Sequence, residues 1–148
     1  SLKIEISFNL IYSMNFTNSS NVALSTIHSY LLLMGFARPT QDIFSDFESA
    51  IAGGNANRFA KYLSSSVQLK LPGEVEGIYS KQQTIVIMNR FFDKYPPSSF
   101  KLVHRGSSAS GSKFAVGDYT TGEEKTFRVT VFVKKQGELY LIQEIEFE

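Results

Sequence analysis

At 148 residues the chain is the size of one domain, with 43% hydrophobic and 20% charged residues, ordinary globular usage. It has no Cys, which excludes thiolate nucleophiles, Cys-ligated zinc and iron–sulfur clusters. A formal net charge of +1 gives no global field to attract nucleic acid or an acidic membrane.

Charge is unevenly spread. No Asp, Glu, Lys or Arg occurs between Glu5 and Arg38, whereas both signs are well mixed from Gln41 onward. This places a boundary near Gln41, with an uncharged segment over 1–41 and a single domain over 42–148. Within the first segment Lys3 to Leu10 alternates polar and apolar residues, a strand pattern. Val22 to Ala37 is a mostly apolar run too short and too polar for a stable membrane span. Gly35 and Ala37 stand at the −3 and −1 positions of a leader cleavage site, although the basic residue expected upstream lies far off at Lys3. Two readings stand, an export leader (degenerate or retained) and a structural element. Asn15 and Asn18 begin glycosylation sequons, patterns common by chance.

The domain opens on helices. Ile43, Phe47 and Ile51 recur every fourth residue, an amphipathic stripe, and Gly53-Gly54 ends it. Asn55 caps a second helix over Ala56 to Leu63, which Ser64-Ser65-Ser66 breaks. Val67 to Leu71 reads as a short strand closed by Pro72-Gly73. Ser80 with Gln83 forms a capping box for a third helix whose core face is Thr84, Ile85, Met88, Phe91 and Phe92. Tyr95-Pro96-Pro97 stops it.

The apolar period then changes to two. Phe100, Leu102 and His104 share a strand face, as do Phe114, Val116 and Asp118, then Phe127, Val129, Val131 and Val133, then Leu139, Leu141, Gln143, Ile145 and Phe147. Turn signals at Ser107 to Gly111, Thr121-Gly122-Glu123 and Gln136-Gly137 separate the four strands. This predicts an antiparallel meander with the helices covering one face, an α+β domain.

The run from Asp42 to Glu148 resembles a family of exported bacterial proteins, domain of unknown function 4783, of the nuclear transport factor 2-like (cystatin-like) superfamily. The resemblance rests on Ala52-Gly53-Gly54-Asn55-Ala56, Gly77-Ile78-Tyr79-Ser80-Lys81 and Phe91-Phe92 before Tyr95-Pro96-Pro97-Ser98-Ser99-Phe100. Gly106-Ser107-Ser108, Thr126-Phe127-Arg128-Val129 and Tyr140-Leu141-Ile142-Gln143-Glu144 carry it to the C-terminus. It implies a cone in which a curved sheet wraps a long helix, and a signal peptide with export to the periplasm or beyond. It implies no activity.

Chemistry is sparse. His104 and Asp118 invite a general-base pairing. If the Ser107 to Gly111 loop closes the hairpin, however, His104 faces Phe114 and Asp118 faces Phe100. Four residues along a strand is about 13 Å, beyond hydrogen-bond reach. Gln143 interrupts an apolar series, so its amide either meets backbone or lines a polar spot in a pocket. The candidate lining of an apolar pocket is Tyr62, Phe92, His104, Asp118, Phe127 and Gln143. The opposite sheet face carries Val103, Ala115, Tyr119, Phe132, Tyr140 and Ile142, an apolar set that marks an interface. Cone domains of the resembled superfamily often dimerise through this face, which predicts a homodimer using Val103, Tyr119, Phe132, Tyr140 and Ile142.

No catalytic residue, metal site, cofactor or nucleic-acid stripe is expected. The chain reads as an exported, non-catalytic binding or interaction module with a small apolar ligand in the cone. The alternative is a small-molecule enzyme, isomerase- or dehydratase-like, using polar groups inside it.

Overall fold

The computed structural model describes residues 42–73 and 75–148. The segments read above as a leader and as an N-terminal strand lie outside them. Helix α1 is Ile43–Ala52; the Asp42 carboxylate caps it, accepting from the Phe44 N–H at 3.1 Å. Its buried stripe is Phe44, Phe47, Ala50 and Ile51. Gly54, at φ +63°, supplies the left-handed residue that turns the chain out of the helix. Asn55 then caps Ala56–Tyr62, which is a 3-10 helix instead of the expected α-helix.

The helix ends before Ser64-Ser65-Ser66, as expected, but the serines form no loop. Strand β1, Leu63–Lys70, begins directly at the helix end and includes them. Strand β2, Glu76–Ser80, was not anticipated, because five residues with a glycine inside carry too little alternation to read. It pairs antiparallel with β1, from Ser66 opposite Ser80 to Lys70 opposite Glu76. Helix α2, Lys81–Lys94, has the expected capping box: Ser80 Oγ accepts from the Gln83 N–H at 3.2 Å and Gln83 Oε1 from the Ser80 N–H at 3.0 Å. It buries Thr84, Met88, Phe91 and Phe92.

Strands β3 (Pro97–Ser107), β4 (Lys113–Thr121), β5 (Thr126–Gln136) and β6 (Leu139–Phe147) form the expected meander. The sheet is larger than that meander: six strands in the order β2-β1-β6-β5-β4-β3. The last strand lies between β5 and β1 and runs parallel to β1. The sheet is therefore mixed, correcting the antiparallel expectation. Bulges curve it and decide which residues face the helices.

One irregularity, between Leu102 and His104, adds a residue to β3. Phe100 and Leu102 face the helices as expected, but His104 passes to the outer face opposite Val116. Arg105, opposite the buried Ala115, turns inward and reaches α1. On β4 the inward series is Ala115, Gly117, Tyr119 and Thr121, one residue out of phase with the sequence reading. The reading followed the more apolar phase, but the inner face here needs room. A Cβ on Gly117 would lie 2.6 Å from the Lys101 carbonyl oxygen and 2.8 Å from the Phe100 ring. The bulge in β6 makes Gln143 the extra residue, since Val131 faces Ile145 while Val133 faces Ile142. Ile142 is thereby fully buried and Leu139 is 65% exposed.

Aromatic rings fill the inner layer. Phe91 is central, with ring centroids at 4.7 Å from Phe147, 5.2 Å from Tyr95, 5.6 Å from Phe127 and 5.9 Å from Tyr119. Tyr119 has no solvent exposure and its hydroxyl donates to the Tyr95 carbonyl, so the ring's one polar atom is satisfied. Burying each such ring contributes about 1.5–3 kcal/mol. Gly117→Ala forces backbone and ring to separate and should lower stability by about 1–3 kcal/mol in urea unfolding. Gly122→Ala, with nothing within 4 Å of the new Cβ, should not.

Candidate functional site

The residues expected to line one pocket do not meet. Phe92 and Phe127 lie in the core, 3% exposed each, and each packs against Phe91 and Tyr119. Tyr62 is half-buried at the end of the 3-10 helix, its hydroxyl donating to the Asp46 carboxylate of α1. Burial, together with that carboxylate, pushes the Tyr62 phenol well above its ordinary range, so it stays a neutral donor. His104 and Asp118 stand on the outer sheet face. The His104 ring lies 5.7 Å from Phe114, and Asp118 pairs with Arg128 at 3.1 Å, opposite Lys101. The sequence reading set them on the inner face because an unbulged β3 and the apolar phase of β4 would put them there. They remain separate on the outer face too.

Gln143 sits in the β6 bulge with a different problem. Its Nε2 is buried and has no hydrogen-bond partner among the described residues. The first alternative read from the sequence does not hold for the amide nitrogen, which meets no backbone acceptor among the described residues.

The expected interface residues divide. Val103 is 59% and Phe132 38% exposed, while Tyr119 and Ile142 are wholly buried. Tyr140 is half-buried, with the Lys113 ammonium 4.3 Å from its ring centroid. The strand pairing lays the outer face out in rows. One crosses Gly106, Phe114, Phe132 and Glu144; the next crosses His104, Val116, Thr130, Glu146 and Lys70. A third crosses Lys101, Asp118 and Arg128. The first row carries a short aromatic ridge, for Phe114 lies 5.9 Å from Phe132 and 5.7 Å from His104. Phe114 stands on the outer face, not on the inner face its alternation predicts. The signal that locates it is Gly106, over which its ring lies: a Cβ there would come within 2.4 Å of the ring.

Beside the ridge the charges offset one another. Lys70 contacts Glu146 and lies 3.0 Å from Glu148. The Lys70 hydrogen bond, then that of Glu146, holds the Glu148 carboxyl below its ordinary value, while the hydrogen bonds to Glu146 and then Glu148 raise Lys70. At the end of α1, Arg105 donates to Asp42 at 2.6 Å and lies over the Phe44 ring at 5.6 Å. Partial burial raises the Asp42 carboxyl, but the bonds from Arg105, Ser45 and the Phe44 N–H, with the Arg105 charge, outweigh it and leave it lowered. Among the described residues no group of His, Asp or Glu could hold a metal ion, and no helix is long and apolar enough to cross a membrane.

A lowered folded-state value means that the Asp42 contribution is present above the ordinary carboxylate pKa and lost as pH falls through the folded one. Stability should fall on acidification from about pH 5 to about pH 2, less steeply in Asp42→Asn. Because the pair is half exposed, the difference should be only about 0.5 kcal/mol in urea midpoints. Gln143→Leu removes the unpaired amide and should raise stability by about 1 kcal/mol in the same assay.

Comparisons place this geometry among known proteins. The family model for the domain of unknown function DUF4783 matches residues 44–148. No curated protein matches. A DUF4783 protein of Bacteroides ovatus is 30% identical, with a TM-score of 0.63 over 69% of this chain and 90% of that one. One from Bacteroides uniformis is 26% identical, with a TM-score of 0.66 over 72% and 96%. An uncharacterised cystatin-fold protein of Novosphingobium aromaticivorans, 14% identical, shares the fold at a TM-score of 0.54 over 72% and 94%. The chain belongs to the DUF4783 family and has the cystatin-like, nuclear transport factor 2-like fold.

Proposed function

We propose that this protein is an exported, non-catalytic interaction module that works through the outer face of its sheet, as a homodimer. The observation carrying this reading is the aromatic ridge of His104, Phe114 and Phe132, flanked by the exposed Val103. Large apolar side chains set on a polar face favour association, since covering them removes apolar area from water. Six strands at the usual spacing make a face roughly 28 Å wide. That is wide enough for a standard interface of about 800 Å² per partner. The charge rows are self-complementary, so a second copy can cross them without stranding a charge. Export is supported by the apolar run ending at Gly35 and Ala37. The family relatives in Bacteroides fit a bacterial source.

An apolar ligand within the cone has to compete with the ring cluster around Phe91. The rival reading, an isomerase- or dehydratase-like enzyme, has the Tyr62–Asp46 contact in its favour. A phenol whose proton is held more tightly than usual is a poor acid, and that contact already serves to tie α1 to the 3-10 helix.

Sedimentation of the full chain across the micromolar range should show a concentration-dependent dimer. Phe132→Lys, at an exposed position, should leave the fold intact and weaken the dimer by at least about tenfold. A wild-type protein that stays monomeric throughout, or a dimer indifferent to this substitution, overturns the proposal.

A further inference from the structure

His104 is the one histidine between residues 42 and 148; the other, His28, lies upstream. The added residue in β3 turns it to the outer face, opposite Val116. There its ring lies 5.7 Å from that of Phe114, which lies 5.9 Å from that of Phe132. Val103, the residue before it, is 59% exposed. Among the rings of this ridge only the imidazole can take up a proton. It is exposed, and among the described residues it makes no hydrogen bond or ion pair.

No carboxylate beside it is free to neutralise an imidazolium. On β3 the charged residues are Lys101, one row away, and Arg105, turned inward to Asp42. On β4 Asp118 lies in the Lys101 row, where Arg128 of β5 holds it at 3.1 Å. That row carries two positive groups and one negative, so it disfavours a further positive charge. On β6 Glu146 shares the His104 row but is engaged by Lys70, and Glu144 ends the ridge row. Both stand three strand spacings from β3, about 14 Å.

A neutral imidazole can be covered together with the phenyl rings around it. An imidazolium cannot be covered without a counter-charge, because burial penalises the charged form. Imidazoles change charge between about pH 5 and 8. Building on the homodimer reading, we infer that His104 makes association of the outer face pH-dependent. Two copies pair through the ridge while both imidazoles are neutral, and they separate as the imidazoles take up protons. A single copy binds the proton more readily than the pair does, because its imidazolium stays in water. Proton uptake is therefore linked to dissociation, and acid favours the single copy.

The test is sedimentation of the full chain at about pH 8 and about pH 5.5, on either side of the ordinary imidazole transition. Each copy supplies one imidazole, so the dissociation constant should rise at least about tenfold at the lower pH. His104→Gln, uncharged at both, should associate with the same constant at both. His28→Gln should keep the rise seen in the wild type. A wild-type dimer of equal strength at the two pH values overturns the inference and leaves the homodimer standing. Tighter association in acid also overturns it, by bringing a partner carboxylate to the imidazole. So does a pH dependence that survives in His104→Gln. A wild-type protein that stays monomeric at both pH values overturns the homodimer reading, and the inference with it.

Discussion

The contact of Phe91 with Phe147, at 4.7 Å between ring centroids, sets the rest of the structure. It fixes the long helix against the last strand, and that strand lies between β1 and β5. Once those rings are together, Tyr119, Phe127 and Tyr95 have one place to go. Each ring is large and stiff, so a single side chain out of phase would leave a hole the others could not fill.

The bulges follow from this constraint. A strand of strict period two cannot place every ring inward around a curved sheet, so extra residues enter β3 and β6 where the curve is absorbed. Their side effects shape the surface. His104 is moved outward, Arg105 inward to the end of α1, and Gln143 into a position where its amide nitrogen has no acceptor among the described residues. Charged and aromatic groups on the outer face are thus partly a consequence of how the core was filled.

The proposed function builds on these surface consequences. Ionisable groups that a catalytic cone would gather are dispersed, with Asp118 paired to Arg128 and Asp46 to Tyr62. Apolar groups beyond the needs of the core stand instead on the outer face and along the β2 edge, at Val103, Phe132, Ile78 and Val86. Val103 and Phe132 are the ones on which the proposed interaction rests.

Much of the domain was legible by itself in the sequence. The capping box at Ser80 and Gln83, the Phe91-Phe92 helix face and the turns of the meander are local signals, carried by residues within a few positions of each other. The inner series of β5 was equally plain, because Val129, Val131 and Val133 have no apolar competitor phase. Family membership was legible for the same reason, since short motifs survive without their context. What only the tertiary structure decided was phase and partner. The parallel pairing of β1 with β6 joins residues 76 positions apart, as in Lys70 opposite Glu146, and no local pattern encodes it. On β4 both phases are apolar enough to be buried, and the choice went to the one whose glycine lets Phe100 approach. One added residue in a strand reverses every side chain beyond it. Hence His104 and Ile142 changed faces at bulges, and Tyr119 with the phase of β4, while the strands that hold them stayed where the sequence put them.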